Sequence, residues 1–589
     1  MRIADRLANS LSNLGIEQVF MVNGGGAMHL NDALSRNNKL NVEYMHHEQS
    51  CAMAAEGYAR VSGKPAVVCV TSGPGGINAI NGVFGSWTDS IPVIIVSGQV
   101  KRETLNRKNS KLRQLGDQEN DIISMVKKIT KFSYQINNPA YLDNITNYAY
   151  SVATLGRPGP VWIDVPIDIQ NAKYTKEEQL ETFSFKNPKI GQKKDLDLLI
   201  KRLESSKKPI IVLGSGVRVS NTQKELLNFL ELSDIPVVTT FNGIDLIDEN
   251  NVHYVGRQGT IGDRAGNINV HRSDLILAIG TRLNVRQTGY NFKSFAKDAY
   301  LVMVDIDKEE FEKRTIKPDL KINYDLKYFF KDLLDKQNNF KNLFHQQHLK
   351  NSKEIFNKYQ AKKENYLDTQ KINPYKFIIS LFANLKNNDI VVTSDGTACI
   401  ATFQVANIKK GQRLFSNSGS ASMGYGLPAS IGASFASNKQ IICIEGDGSI
   451  QMNLQELASL SRSKKNLKIF VINNGGYLSI KQSQENYFPD NISGTNHKNG
   501  LTFPNLKKIS AAYDLKYKKL VSKKTMERDI KAILCIKGPM LCEIIVSDRQ
   551  GFQPKPSSRI LENGKMVSNQ LYDMFPFLSD EELEAINSI

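Results

Sequence analysis

Ile441-Ile442-Cys443-Ile444-Glu445-Gly446-Asp447-Gly448-Ser449, with Leu467 to Ile472 and then Asn473-Asn474 further on, is the stretch that decides the fold. The run Ile441 to Ile444 reads as a buried strand that delivers Asp447 to its carboxyl end, where open α/β sheets bind ligands. Gly446 and Gly448 let the backbone approach a phosphate, and the Gly448 and Ser449 N–H groups can donate to it. A helical pattern from Gln451 to Ser461 aims a positive helix end at the same place. The second apolar run returns Asn474 beside Asp447. One carboxylate, one amide oxygen and a backbone carbonyl near Gly476 suit a hard cation such as Mg²⁺.

Composition narrows the class. The chain has 589 residues, 41% apolar content and a formal charge of +17. That length predicts several domains with ample core. No apolar run reaches the roughly 18 residues that a membrane span needs, and the N-terminus enters a helical pattern (Ile3, Leu7, Leu11, Leu14) rather than a secretory leader. Cys51, Cys69, Cys399, Cys443, Cys535 and Cys542 lack CxxC spacing and read as buried free thiols of a cytoplasmic protein. The lysines are dispersed, with no nucleic-acid motif, so the charge reads as a solvated surface that can attract an anionic substrate. His345 and His348 share a spacing for one helix face but have no third ligand, and read as solvated.

Apolar runs alternate with amphipathic stretches throughout, which predicts an α/β chain of doubly wound parallel-sheet domains. Three domains are expected, over 1–170, 195–345 and 373–546, followed by a C-terminal tail over 547–589. The polar stretch Asn171 to Lys194 reads as a linker. Ser579 caps a final acidic helix. No short repeat relates the domains.

The Gly446–Ser449 motif and the Asn473-Asn474 pair resemble the signature of thiamine diphosphate enzymes. The early motifs His47-Glu48-Gln49, Ala55-Glu56-Gly57-Tyr58-Ala59-Arg60 and Thr71-Ser72-Gly73-Pro74-Gly75 resemble the pyrimidine-binding domain of acetolactate synthase-like members of that superfamily. The resemblance implies a pyrimidine-binding first domain, a central nucleotide-fold domain and a diphosphate-binding third domain. It assigns thiamine diphosphate and Mg²⁺ as cofactors, with Asp447, Asn474 and Gly476 on the metal and Gly446, Gly448 and Ser449 on the diphosphate. Gly396, Thr397 and Ala398 are further expected diphosphate contacts, although the family's Gln-His-Gln run is absent. Glu48 matches the glutamate that bonds the pyrimidine nitrogen N1′ and activates the ring. Gly73, Pro74 and Asn78 are the expected cofactor contacts of that half. Gly25 and Gly26, in a loop that departs from the family's Tyr-Pro-Gly-Gly-Ala, face the thiazolium. Gln118 matches an active-site glutamine, with an exposed loop amide as the alternative. Met423 occupies the place of the apolar wedge that bends the cofactor. The carbonyl near Ala421 accepts from the 4′-amino group, at a position where the family usually has glycine. The two half-sites come from different chains in this superfamily, so a homodimer or homotetramer is implied.

Gly280 to Arg286 and Val304-Asp305-Ile306-Asp307 resemble FAD-binding segments of acetolactate synthases. They nominate Arg282, Arg286 and Asp305, with a degenerate nucleotide fold as the other reading. The implied reaction is decarboxylation of pyruvate or another 2-keto acid and transfer of a two-carbon unit to a carbonyl acceptor. Ser483 stands where acetolactate synthases carry a pocket-narrowing tryptophan. The tail resembles a subgroup associated with surface-polysaccharide sugars. A nucleotide-linked keto-sugar is therefore the first expected acceptor, pyruvate itself the alternative, and a pyruvate oxidase or decarboxylase a third reading. The proline- and aromatic-containing tail is read either as a lid or as surface packing.

Overall fold

The computed structural model describes residues 1–106, 111–175, 183, 185, 191–295, 297–336, 340, 345–560 and 566–588. Most of the expected linker over 171–194 lies outside the described residues. The first sheet comprises β1 (Gln18–Met21), β2 (Asn41–Tyr44), β3 (Ala66–Val70), β4 (Val93–Gln99), β5 (Phe132–Gln135) and β6 (Val161–Pro166), in the order β2-β1-β3-β4-β6-β5. The second comprises β7 (Pro209–Leu213), β8 (Val237–Thr239), β9 (Tyr254–Arg257), β10 (Leu275–Ile279), β11 (Tyr300–Asp305) and β12 (Leu320–Asn323), in the order β12-β11-β10-β7-β8-β9. The third comprises β13 (Ile390–Thr393), β14 (Arg413–Phe415), β15 (Ile441–Gly446), β16 (Leu467–Asn473), β17 (Lys516–Leu520) and β18 (Met540–Ile545), in the order β14-β13-β15-β16-β18-β17. Neighbouring strands within these sheets are parallel. Strands such as β3, β7 and β15 are apolar along nearly their whole length because helices cover both faces of a parallel sheet. The expected α/β class holds.

The first and third sheets share one strand order, a kinship that the sequence does not display. The second has the order of a dinucleotide-binding fold, with its topological switch point between β7 and β10.

A continuous apolar core joins the first sheet to the third, from Phe20 and Val68 through Leu427 and Ile431 to Ile469 and Leu541. At its centre the helix Glu48–Ser62 crosses the helix Gly426–Ala436. The second of these is buried along Gly426–Ser434, which suits its apolar residues on all sides. Glycine makes the crossing close. A Cβ on Gly57 would lie 2.1 Å from the Ala429 carbonyl oxygen, and one on Gly432 would lie 1.9 Å from that of Ala54.

Three readings need correction. The segment after Gly448 opens as a 3₁₀ turn, Ser449–Asn453, and becomes α-helical only at Glu456. The ordered α-helix therefore starts beyond the motif. Cys535 is exposed, whereas the other five cysteines are buried; all six are free. His345 is buried and His348 is half-buried, so neither lies on a solvated face. Burial pushes the His348 imidazole down to about 4. Among the described residues, no group of three His, Cys, Asp or Glu side chains is arranged to hold a metal.

The tail begins beside the helix Leu478–Tyr487, where Gly551 faces Gln482, and then runs along the second domain. Arg264 donates to the Met574 carbonyl at 2.7 Å, and His271 stacks on Tyr572 at 3.9 Å. Its last helix, Asp580–Ser588, is capped by Ser579, whose Oγ accepts from the Glu582 N–H at 3.2 Å.

Gly432→Ala is expected to separate the two crossing helices. Overpacking of this kind costs about 1–3 kcal/mol or more. A lower melting temperature checks it, with Ala433→Gly as a control for helix propensity.

Candidate functional site

The third domain places the Asp447 motif at the carboxyl end of β15, as its apolar run predicts. Asp447 Oδ1 accepts from the Gly448 N–H at 3.0 Å, and Oδ2 accepts from the Gly475 N–H at 2.9 Å. Burial still pushes the carboxyl up to about 7, outweighing the backbone N–H groups that lower it. Asn474 donates through Nδ2 to Thr397 Oγ1 at 3.3 Å, while its Oδ1 is buried without a partner. Gly476 has a φ of 154°, and a Cβ there would lie 2.0 Å from the Thr495 carbonyl oxygen. Its own carbonyl accepts from the Leu478 N–H at 3.1 Å, which leaves a second lone pair. An orphaned amide oxygen beside an uncompensated carboxylate is a donor set that fits a hard divalent cation.

Gly396 precedes the helix Thr397–Val405, which directs the N–H groups of Thr397 and Ala398 toward Asn474. This nine-residue helix takes the place of the helix expected after Gly448 as the positive end at the site. Ser449 Oγ accepts from the Gly424 N–H at 2.8 Å and hydrogen-bonds Ser394 Oγ. The phosphate motif is thereby tied to the Met423 loop. Neither serine pairing was legible in the sequence. Glu445 could have been noticed as a charge inside an apolar strand. It is buried, accepts from the Leu427 N–H at 3.0 Å and is pushed up to about 7 by that burial.

Met423 is 36% exposed, so it is not a buried core methionine. Ala421 has a φ of 54°, in the left-handed region, and its N–H donates to the Asn417 carbonyl at 2.7 Å. The alanine therefore holds a conformation that glycine adopts more easily.

In the first domain Glu48 opens its helix, and its Oε2 accepts from Asn78 Nδ2 at 3.0 Å. Gly75, in the first turn of the helix Pro74–Asp89, leaves room for Glu48 Oε1, which lies 3.3 Å from the position of an added Cβ. Gly26 donates its N–H to Thr71 Oγ1 at 3.0 Å, and Gly25 faces open space. Gln118, exposed and with a φ of 62°, lies against Gly73 through its backbone. Ser422 Oγ donates to Asn81 Oδ1 at 2.6 Å. Asn81 lies one turn along the helix Pro74–Asp89 from Asn78. Within one chain, that helix thus touches both Glu48 and the Met423 loop.

Arg282, Arg286 and Asp305 meet elsewhere. They line a cavity of about 300 Å³ at the switch point of the second sheet, between Gly214 after β7 and Gly280 after β10. Burial pushes Asp305, at the end of β11, up to about 6. The amide oxygens of Asn242, Asn284 and Gln287, all on this lining, are buried without partners. These are features of a polar ligand's berth. Asp89 and Ser418 bring the first and third domains to its wall.

Comparison with known proteins matches three consecutive segments to thiamine pyrophosphate enzymes: the N-terminal TPP binding domain over residues 1–124, the central domain over 196–333 and the C-terminal TPP binding domain over 395–544. The chain is 32% identical over 550 residues to the acetolactate synthase large subunit of Lactococcus lactis subsp. lactis (strain IL1403), covering 92% of each. It is 31% identical over 572 residues to the chloroplastic acetolactate synthase of Arabidopsis thaliana, covering 94% of this chain and 82% of that one. It is 33% identical over 487 residues to the acetolactate synthase large subunit of Buchnera aphidicola subsp. Schizaphis graminum (strain Sg), covering 82% and 84%.

Two predictions follow from this geometry. Ala421→Gly should relieve a left-handed alanine and raise stability by about 0.5–1 kcal/mol, read as a higher melting temperature. The folded-state value of Asp447, about 7, lies above its unfolded value of roughly 4. Its stabilising contribution is therefore complete below the unfolded value and lost as the pH rises toward 7. Added Mg²⁺ should raise the melting temperature more above pH 7 than below it, and Asp447→Asn should abolish that difference.

Proposed function

The chain belongs to the thiamine diphosphate-dependent enzymes and is acetolactate synthase-like, and from that premise we propose that it is a Mg²⁺-dependent carboligase. It decarboxylates a 2-keto acid, with pyruvate first, and transfers the two-carbon unit to a carbonyl acceptor. The single observation that carries this reading is the presence of both half-sites in one chain: the Asp447–Asn474–Gly476 donor set and the Glu48–Asn78 pair.

Thiamine diphosphate, when bound, supplies an electron sink that lets a 2-keto acid lose carbon dioxide. The following roles are proposed for the chain's own residues. Asp447, Asn474 and the Gly476 carbonyl hold Mg²⁺. The N–H groups of Gly448, Ser449, Thr397 and Ala398 bind the diphosphate, with Gly396 and Gly446 keeping the approach open. Glu48 holds a proton at the pyrimidine nitrogen, and Asn78 orients its carboxyl. Met423 would support the bound cofactor, Ala421 would offer its carbonyl, and Gly25, Gly26, Gly73, Pro74 and Gln118 would close the first-domain side.

The cavity at the second switch point is proposed to take FAD. Its polar, glycine-flanked lining supports this: Asp305 suits ribose hydroxyls, and Arg282 and Arg286 suit phosphates. The segment Gly256 to Thr260, which resembles a further FAD-binding segment of acetolactate synthases, lacks that segment's histidine. A homodimer or homotetramer is also proposed. The helix Pro74–Asp89 leaves Ile77, Phe84 and Trp87 between 38% and 46% exposed, an apolar face suited to a second copy.

The relatives' names favour a second 2-keto acid as acceptor. One observation favours a bulkier one. Ser483 is exposed on the helix Leu478–Tyr487, and it is far smaller than the tryptophan of the resemblance. On that ground a nucleotide-linked keto-sugar of surface-polysaccharide synthesis is proposed as the bulkier acceptor.

Purified protein with thiamine diphosphate, Mg²⁺ and pyruvate should release carbon dioxide. Glu48→Gln should slow that release by about 10²–10⁴-fold, the usual contribution of a positioned acid or base, while cofactor affinity survives. Full activity in that variant would refute the assignment. Acetolactate from pyruvate alone would make pyruvate the acceptor. Turnover accelerated by a keto-sugar that gains a two-carbon branch would establish the sugar.

A further inference from the structure

The loop 417–425, which carries Ala421 and Met423, is gripped at both ends by the first domain. At its start, the Gly419 N–H donates to Asp89 Oδ1 at 3.1 Å. At its end, the Tyr425 hydroxyl donates to Glu56 Oε1 at 3.1 Å. The two carboxylates do not act separately. Arg60 Nε donates to Glu56 Oε1 at 2.9 Å, and Arg60 Nη2 donates to Asp89 Oδ2 at 2.7 Å. All three side chains are buried, with exposures of 7% for Arg60, 0% for Glu56 and 3% for Asp89.

A buried ion set of this kind is a costly way to stabilise a core, and apolar packing would serve better. What it offers instead is geometry. A planar guanidinium with donors fixed in a fork sets the distance between the groups it bridges. Here those groups are the two anchors of one loop. The third domain closes the arrangement from behind, because Arg413 Nη1 donates to the Arg60 carbonyl at 2.8 Å and the Arg60 guanidinium lies 5.6 Å from the centroid of the Phe415 ring. Between the anchors the backbone is strained at Ala421, and Met423 is left uncovered. A loop with a strained residue and an exposed apolar side chain keeps one shape only if its ends are fixed.

We infer that Arg60 is a positioning residue of the thiamine half-site: by bridging Glu56 and Asp89 it fixes the two ends of the loop that presents Ala421 and Met423 to the cofactor. This rests on the proposed role of that loop. Arg60 touches no reacting atom and acts through Tyr425 and Gly419.

Tyr425→Phe tests the clamp most directly, since it removes one hydroxyl and leaves the ion set intact. The full chain, saturated with Mg²⁺, is titrated with thiamine diphosphate. Half-saturation, the near-ultraviolet circular dichroism of the bound cofactor and the carbon dioxide release rate from pyruvate are read together. The expected result is a half-saturation raised about tenfold, the scale of one hydrogen bond to a charged group, with an altered dichroism band and a nearly unchanged melting temperature. Asp89→Asn serves as the second variant should Tyr425→Phe fail to fold, and should shift the same readouts. Unchanged half-saturation and dichroism in a folded variant would overturn the clamp. Met423→Ala separates the two levels. If it alters the dichroism band while Tyr425→Phe does not, the clamp fails alone. If neither variant changes it, the assignment of the loop to the cofactor fails as well.

Discussion

Everything at the candidate site depends on how closely the helix Glu48–Ser62 can lie against the helix Gly426–Ala436. Glycine at 57 and at 432 brings each helix onto the other's backbone, with no side chain between them. The first of these helices begins at Glu48, and the second follows directly on the Met423 loop. Within one chain the crossing therefore fixes the N-terminus that carries Glu48 against the loop that carries Met423. Interiors packed at this density are bistable or rigid rather than continuously deformable. A contact made by backbone on backbone leaves no rotamer through which the two domains could adjust.

Polar groups take over where that apolar contact ends. The Arg60 ion set, the Asn81–Ser422 bond and the Ser394–Ser449–Gly424 chain lie around the crossing, and each ends on a loop rather than in a helix. Loops need such partners because they bury backbone groups without a ladder to satisfy them. The carboxylates Asp447, Glu445 and Asp305 are a different matter. Each is pushed up toward neutrality by desolvation, most of all Asp447 and Glu445, which are buried. Two of them stand at the ends of parallel strands or just beyond, where the fold itself collects ligands.

Much of this was legible because local pattern and function coincide. An apolar run that ends in Gly446-Asp447-Gly448 can hardly be anything but a strand and its carboxyl-end loop, and Asn474 follows the next apolar run in the same way. Glu48 was marked by its motif, not by its periodicity. What stayed hidden depends on tertiary contact. Gly57 and Gly432 look like ordinary glycines within helices until their partners are known. The left-handed φ of Ala421 is not announced by the alanine itself, only by the glycine that the family usually carries there. The helix after Gly448 was misplaced because 3₁₀ and α turns share a hydrophobic period over so few residues. The shared strand order of the first and third sheets appears in no repeated residues, because a topology constrains the alternation of elements and not their side chains.

The third sheet ends at β17, and its sequence Lys516-Tyr517-Lys518-Lys519-Leu520 has a consequence of its own. Lys516, Lys518 and Lys519 are exposed along this outermost strand. An open strand edge is a template on which another chain can zip up, and three ammonium groups make that edge repel an incoming strand. Part of the +17 charge thus works against aggregation while the chain folds and after it has folded. At this edge, contact between copies is left to helix faces, which can be specific, and denied to the backbone, which cannot.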